Sequence, residues 1–208
     1  MVRQAVRESQ HAKVILSSFG FRGDAMRERF KRVIDPCTVA DSRCLLVPFA
    51  GINAAATAAR EREGLIAFGF SKDNVITAGT DALLPQVDYV YVCGGDPFLL
   101  ANELQRRQLV EPLRRLVAAG ATYIGVSAGA YLASPSLAYV RQIEASPVHG
   151  TEETLALLTD SVLCHAEHYA SVDCQACEAV CGGKPLPAPT STLIHVSVTS
   201  GLPLYCGP

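Results

Sequence analysis

Short apolar runs rich in Val, Ile, Leu and Tyr recur along the chain, separated by stretches whose apolar residues fall at helical spacing. Strands covered on both faces read as continuous apolar runs, so this alternation is the pattern of a mostly parallel sheet buried between helices. The runs predict strands at Lys13–Ser17, Cys44–Pro48, Asn74–Thr77, Asp88–Cys93, Ala121–Val126 and Val162–Cys164, with a C-terminal pair near Leu193–Val198 and Leu202–Tyr205. Asp24 is placed to cap a helix running to about Val33, and Ala54–Phe70 forms a second. Pro97 opens a third and Pro112 a fourth, whose stripe of Leu113, Leu116 and Val117 ends at Gly120 as a left-handed cap. Gly182–Pro189 reads as a surface loop, not as a linker between domains. The 208 residues are expected to form one domain, with residues 1–12 as an N-terminal tail.

Composition narrows the class. With 49% hydrophobic and 18% charged residues, the chain is neither disordered nor of low complexity. Eighteen basic against twenty acidic side chains leave a net charge of −2, too balanced to drive binding to nucleic acid or to an anionic membrane. Met1–Ala12 carries Arg3, Arg7 and Glu8 and no apolar core of a signal peptide. The longest apolar stretch, Leu45–Ala59, is broken by Pro48, Gly51, Asn53 and Thr57 and is too short to span a bilayer. A cytoplasmic protein is expected, with its eight cysteines as free thiols.

Chemistry concentrates in two glycine-bearing segments. Tyr123-Ile124-Gly125-Val126-Ser127-Ala128-Gly129-Ala130 sets a serine between two glycines, after an apolar strand and before the helix-prone Ala130–Ala133. That is the context of a nucleophile elbow, where Gly125 and Gly129 let strand and helix approach and Ser127 stands proud of the sheet. A helix starting there would favour an oxyanion through its free N–H groups and its dipole. The same glycines also serve tight strand-to-helix packing alone. Tyr91-Val92-Cys93-Gly94-Gly95-Asp96-Pro97 ends another apolar strand at the edge where open α/β sheets bind ligands. Asp96 there is a helix cap, while the Ala128 amide and that of Gly95 or Asp96 are candidates for an oxyanion hole. Each such donor is worth about 3 to 4 kcal/mol of transition-state stabilisation.

GGDPFLL, two helices, and then YIGVSAGAYLASP together resemble the dipeptidase E (aspartyl dipeptidase) and cyanophycinase group of serine peptidases. The resemblance runs from Lys13 to about Tyr169 and more loosely through the final strands. It implies a flavodoxin-like three-layer α/β sandwich around a mostly parallel sheet, similar to the class I glutamine amidotransferases. It further implies that Ser127 is the nucleophile, that amides near Gly95 and Ala128 bind the oxyanion, and that a histidine follows the next strand. His168 and His165 compete for that role in Cys164-His165-Ala166-Glu167-His168-Tyr169. A histidine followed by Tyr or Phe fits the group, which puts His168 ahead of His165; His11, His149 and His195 are less suitable. Where the group carries an aspartate after the serine helix, this chain reads Tyr139-Val140-Arg141-Gln142-Ile143-Glu144. Glu144, Asp173 and Glu167 are the candidates to orient the imidazole. After Arg141 the only Lys or Arg is Lys184, so a preference for N-terminal Asp is not expected.

Cys174, Cys177 and Cys181, close behind the two histidines, invite a metal reading. Their i, i+3, i+7 spacing equally places them on one helix face, and no second cysteine pair completes a zinc ribbon, so no metal is expected. The expected function is a cofactor-free serine hydrolase acting on small peptides, with the oligomeric state open between monomer and homodimer. A cyanophycinase-like or esterase activity on the same site is the nearest alternative. A binding or regulatory domain that has lost its orienting acid is the alternative from another class.

Overall fold

The computed structural model describes residues 12–79, 83–144, 146–169, 186–188 and 193–198. Five strands lie parallel: β1 (Ala12–Ser17), β2 (Cys44–Val47), β3 (Val75–Thr77), β4 (Tyr89–Val92) and β5 (Thr122–Val126). Two more, β6 (Val162–Cys164) and β7 (Leu186–Ala188), pair with each other as a separate two-stranded sheet. The last, β8 (Leu193–Val198), runs antiparallel on β1 and completes a six-stranded sheet ordered β3-β2-β4-β5-β1-β8. The helices are α1 (Asp24–Phe30), α2 (Pro36–Val39), α3 (Ala54–Phe68), α4 (Pro97–Arg106), α5 (Val110–Ala118) and α6 (Ala128–Tyr131). This is the expected α/β architecture with a mostly parallel central sheet.

The strands form where burial demands them. Every residue of β2 is buried, as are four of five in β5, which is what parallel strands covered on both faces require. One face carries an aromatic cluster: Phe21 lies 4.1 Å from Phe30, 4.5 Å from Phe68 and 5.7 Å from Tyr91, centroid to centroid. Rings at such separations stabilise beyond their buried area by about 0.5 to 1.5 kcal/mol per pair. The Schellman cap at the end of α5 is as expected: Gly120 adopts φ 102°, its N–H donates to the Val117 carbonyl, and that of Ala121 donates to Leu116.

Three expectations are corrected. Gly23, at φ 81°, is the N-cap of α1, and Asp24 is its first residue, where a carboxylate still favours the helix start. The fourth helix opens at Val110, so Pro112 sits inside the first turn, where its missing N–H costs nothing. Leu186–Ala188, within the stretch read as a loop, is a strand registered on Val162–Cys164. Pro187 is tolerated there because a two-stranded sheet consists only of edges. Leu202–Tyr205 lies outside the described residues, as does the tail before Ala12. Among the described residues no helix is long and apolar enough to cross a membrane.

Buried thiols give the fold a pH signature. Cys44, Cys93 and Cys164 are free and buried, and burial raises all three above the ordinary thiol value of 9.0. Cys93 is pushed up to about 11, a little offset by a hydrogen bond to the Ala50 backbone. A thiol whose folded pKa is raised contributes stability in full below its unfolded value and loses it as pH climbs through the folded one. The urea midpoint is therefore expected to hold level to about pH 9 and to decline toward pH 11. A midpoint unchanged across that window would show that these thiols ionise without opposing the fold.

Candidate active site

Ser127 joins β5 to α6 with φ 49° and ψ −108°. Such a left-handed backbone costs a non-glycine residue of order 1 to 3 kcal/mol and persists only where its surroundings enforce it. Here they do. The Ser127 N–H donates to the Ser17 carbonyl at the end of β1 (2.8 Å), and its own carbonyl accepts from Ala130 and Tyr131. The flanking glycines are needed for space. A Cβ on Gly125 would stand 2.6 Å from the Gly129 carbonyl oxygen, and one on Gly129 would stand 2.3 Å from that of Val92 in β4. Gly129→Ala therefore forces backbone against backbone. It is expected to lower the unfolding free energy by about 3 kcal/mol, the upper end for overpacking. A urea midpoint equal to wild type would show that α6 can move off the sheet.

His165 leaves β6 at φ 52°, a second non-glycine residue in the left-handed region. Its N–H donates to the Oγ of buried Ser18 (2.8 Å), which fixes the turn and carries the ring back over the end of β1. His165 Nε2 stands 3.3 Å from Ser127 Oγ. That is the long end of a hydrogen bond, as is usual between nucleophile and base before substrate binds. The two strained residues thus face each other, and strain of this kind clusters at functional sites. Phe19 meets the His165 ring edge-on, with centroids 5.7 Å apart. Phe19 is itself held by Ser17, which accepts from the Phe19 N–H and donates to the Phe19 carbonyl.

The structure exchanges the two histidines. His168 lies in the 3₁₀ turn Ala166–Tyr169, exposed and stacked nearly parallel on His165, with centroids 5.8 Å apart and planes 8° apart. The ring beside Ser127 is that of His165. Only Ala166 and Glu167 separate the two positions, and the choice depends on where β6 ends against Ser18, a long-range contact that no local motif encodes. His149 is exposed on the segment tied to α4, where its carbonyl accepts from Asn102 Nδ2 (3.0 Å). His195 falls on β8, paired with Ile15.

The glycine loop reaches the serine. A Cβ on Gly94 would stand 3.1 Å from Ser127 Cβ, so the loop abuts the nucleophile. Position 95 needs glycine on two counts: its φ is 147°, and a Cβ there would stand 2.2 Å from the Ala50 carbonyl oxygen. Asp96 no longer qualifies as an oxyanion donor: its N–H is committed to that same carbonyl at 2.8 Å. Its carboxylate is committed as well, accepting from Phe98 N and Leu99 N to cap α4 and from Ser146 Oγ (2.6 Å). The Gly95 and Ala128 amides donate to no carbonyl among the described residues. Since α6 has only four residues, any anion there rests on nearby amides and gains little from a helix dipole.

Of the candidate acids, Glu144 is the one with described side-chain geometry. Tyr131 OH donates to Glu144 Oε1 (2.9 Å) and lies 3.4 Å from the carbonyl of Cys164, the residue before His165. Tyr131 and the Ser17-Ser18-Phe19 turn went unnoticed in the sequence; two serines directly after an apolar strand were the available signal. Glu167 belongs to the 3₁₀ turn by its backbone. Asp173, Lys184 and the Cys174, Cys177, Cys181 cluster lie outside the described residues.

Residues 14–180 match the profile of peptidase family S51. The chain is 37% identical over 99 residues to a peptidase E of Streptomyces coelicolor, covering 47% of this chain and 41% of that protein. It is 41% identical over 63 residues to an uncharacterised peptidase of Listeria innocua, covering 30% of each. These matches span less than half the length of either relative. A candidate peptidase E from Listeria monocytogenes EGD-e has a similar fold, with a TM-score of 0.67 at 21% identity over 88% of this chain and 93% of that one. The family match covers most of the chain, including both glycine segments, Ser127 and both histidines: this chain belongs to peptidase family S51.

Proposed function

We propose that the chain is a serine peptidase of small peptides, in which His165 activates Ser127. The observation that carries this reading is the 3.3 Å approach of His165 Nε2 to the Oγ of a serine held in a strained elbow. His165 takes the Ser127 proton as Oγ attacks the scissile carbonyl, and the tetrahedral oxyanion rests on the Gly95 and Ala128 amides. The imidazolium then protonates the departing amine, leaving an acyl-enzyme on Ser127. Water, deprotonated by the same imidazole, releases the acid. Glu144, tied through Tyr131 to the backbone entering His165, steadies the turn that carries the ring. Every step uses groups of this chain and water.

The partner is thus a small peptide, with neither nucleic acid nor membrane involved. The free thiols of Cys44, Cys93 and Cys164 suit a reducing cytoplasm. A fluorophosphonate probe tests the reading, since it labels only an activated serine. Labelling of wild type and not of Ser127→Ala is the expected result. A folded wild type that stays unlabelled would favour a binding domain instead.

A further inference from the structure

A buried carboxylate at the carboxyl end of the sheet lies outside the serine machinery. Glu61, in the middle of α3, has a side chain only 3% exposed. It accepts from Tyr91 OH (2.7 Å) and Arg60 Nε (3.0 Å), and Arg22 Nε stands 3.9 Å away. Gly20 lets the loop after β1 close over this group, since a Cβ there would lie 2.2 Å from Tyr91 OH and 3.2 Å from Glu61 Oε2. A buried charge is costly unless paired, and two cations share this one, which leaves the cluster net positive. Both guanidiniums remain about half exposed, at 47% for Arg22 and 49% for Arg60. Glu61 thus fixes the inner end of Arg22 while the outer end meets solvent.

Phe19 packs against both Arg22 and the catalytic ring. The Arg22 Cζ is 5.8 Å from the Phe19 centroid, and Phe19 is 5.7 Å from the His165 centroid. The imidazole that accepts the serine proton returns it to the leaving nitrogen, so the leaving residue of the substrate lies on the histidine's side of Ser127. One residue spans about 3.5 Å, and a hydrogen bond at each end adds about 3 Å. The leaving residue of a dipeptide therefore bridges about 10 Å, the scale of the two steps from His165 to Arg22.

We propose that Arg22, held by Glu61, is the residue that binds the C-terminal carboxylate of the leaving residue. This rests on the serine–histidine reading above. The test compares kcat/KM for a dipeptide and for its C-terminal amide, in wild type, Arg22→Gln, Arg22→Lys and Arg60→Gln. Wild type is expected to prefer the free acid by about 10- to 100-fold, the range for hydrogen bonds to charged groups. Arg22→Gln should bring the ratio near one, and Arg22→Lys should keep part of it. Equal rates on both substrates in wild type, or a ratio that survives Arg22→Gln, overturns the proposal. So does a ratio lost only in Arg60→Gln. Fluorophosphonate labelling needs no carboxylate and reports on Ser127 separately. Labelled protein with no acid preference sinks the Arg22 assignment alone, while unlabelled wild type sinks both.

Discussion

Replacing Ser127 by alanine is expected to cut kcat/KM on the best dipeptide by about 10⁴- to 10⁶-fold, with the residual rate carried by the oxyanion amides and substrate binding. The size follows from the chemistry: without Oγ no acyl-enzyme forms, and water must attack directly. Stability separates this role from a structural one. Alanine keeps the Cβ and hence the backbone strain at φ 49°, so Ser127→Ala should unfold close to the wild-type midpoint. Ser127→Gly removes the strain, of order 1 to 3 kcal/mol, at an entropic cost of about 0.5 to 1 kcal/mol. Glycine should therefore raise the unfolding free energy by about 1 kcal/mol while abolishing turnover. Denaturant unfolding and a dipeptide assay on the two variants check both halves. Should glycine destabilise the protein instead, the elbow is not under strain.

How far the sequence revealed this site depends on how local each feature is. The Gly-x-Ser-x-Gly turn is local, because its glycines answer clashes between neighbours such as Gly125 and the Gly129 carbonyl, and it was legible at once. So was the Asp96 cap, since an acidic residue before Pro97 signals a helix start without reference to the rest of the chain. The Asp96 amide was not legible: it is withdrawn from the oxyanion hole by the Ala50 carbonyl, which arrives from the loop after β2. The strand of residues 186–188 escaped because its pairing with β6 is long-range and its proline argued for a loop. Arg22 escaped for a related reason. It precedes Ser127 by more than a hundred positions, and only the closure of the β1 loop over Tyr91 and Glu61 sets it beside that buried carboxylate.

The sharpest test of the three-dimensional reading is the pair of histidines, because the motif favours one and the geometry the other. His165→Ala is expected to match Ser127→Ala, with kcat/KM down by about 10⁴- to 10⁶-fold, since a serine without its base is a poor nucleophile and the leaving amine goes unprotonated. His168→Ala is expected to stay within about tenfold of wild type, the scale on which loss of a stacking partner worth about 0.5 to 1.5 kcal/mol disturbs a neighbouring ring. His168→Phe should recover part of that loss, because a flat aromatic ring can restore the stack without any proton chemistry. Fluorophosphonate labelling rates on the three variants read the same contrast with no assumption about substrate. If His168→Ala proves the crippled variant and His165→Ala remains active, the imidazole serving Ser127 is the one after Glu167. In that event β6 must end differently against Ser18 when the enzyme works.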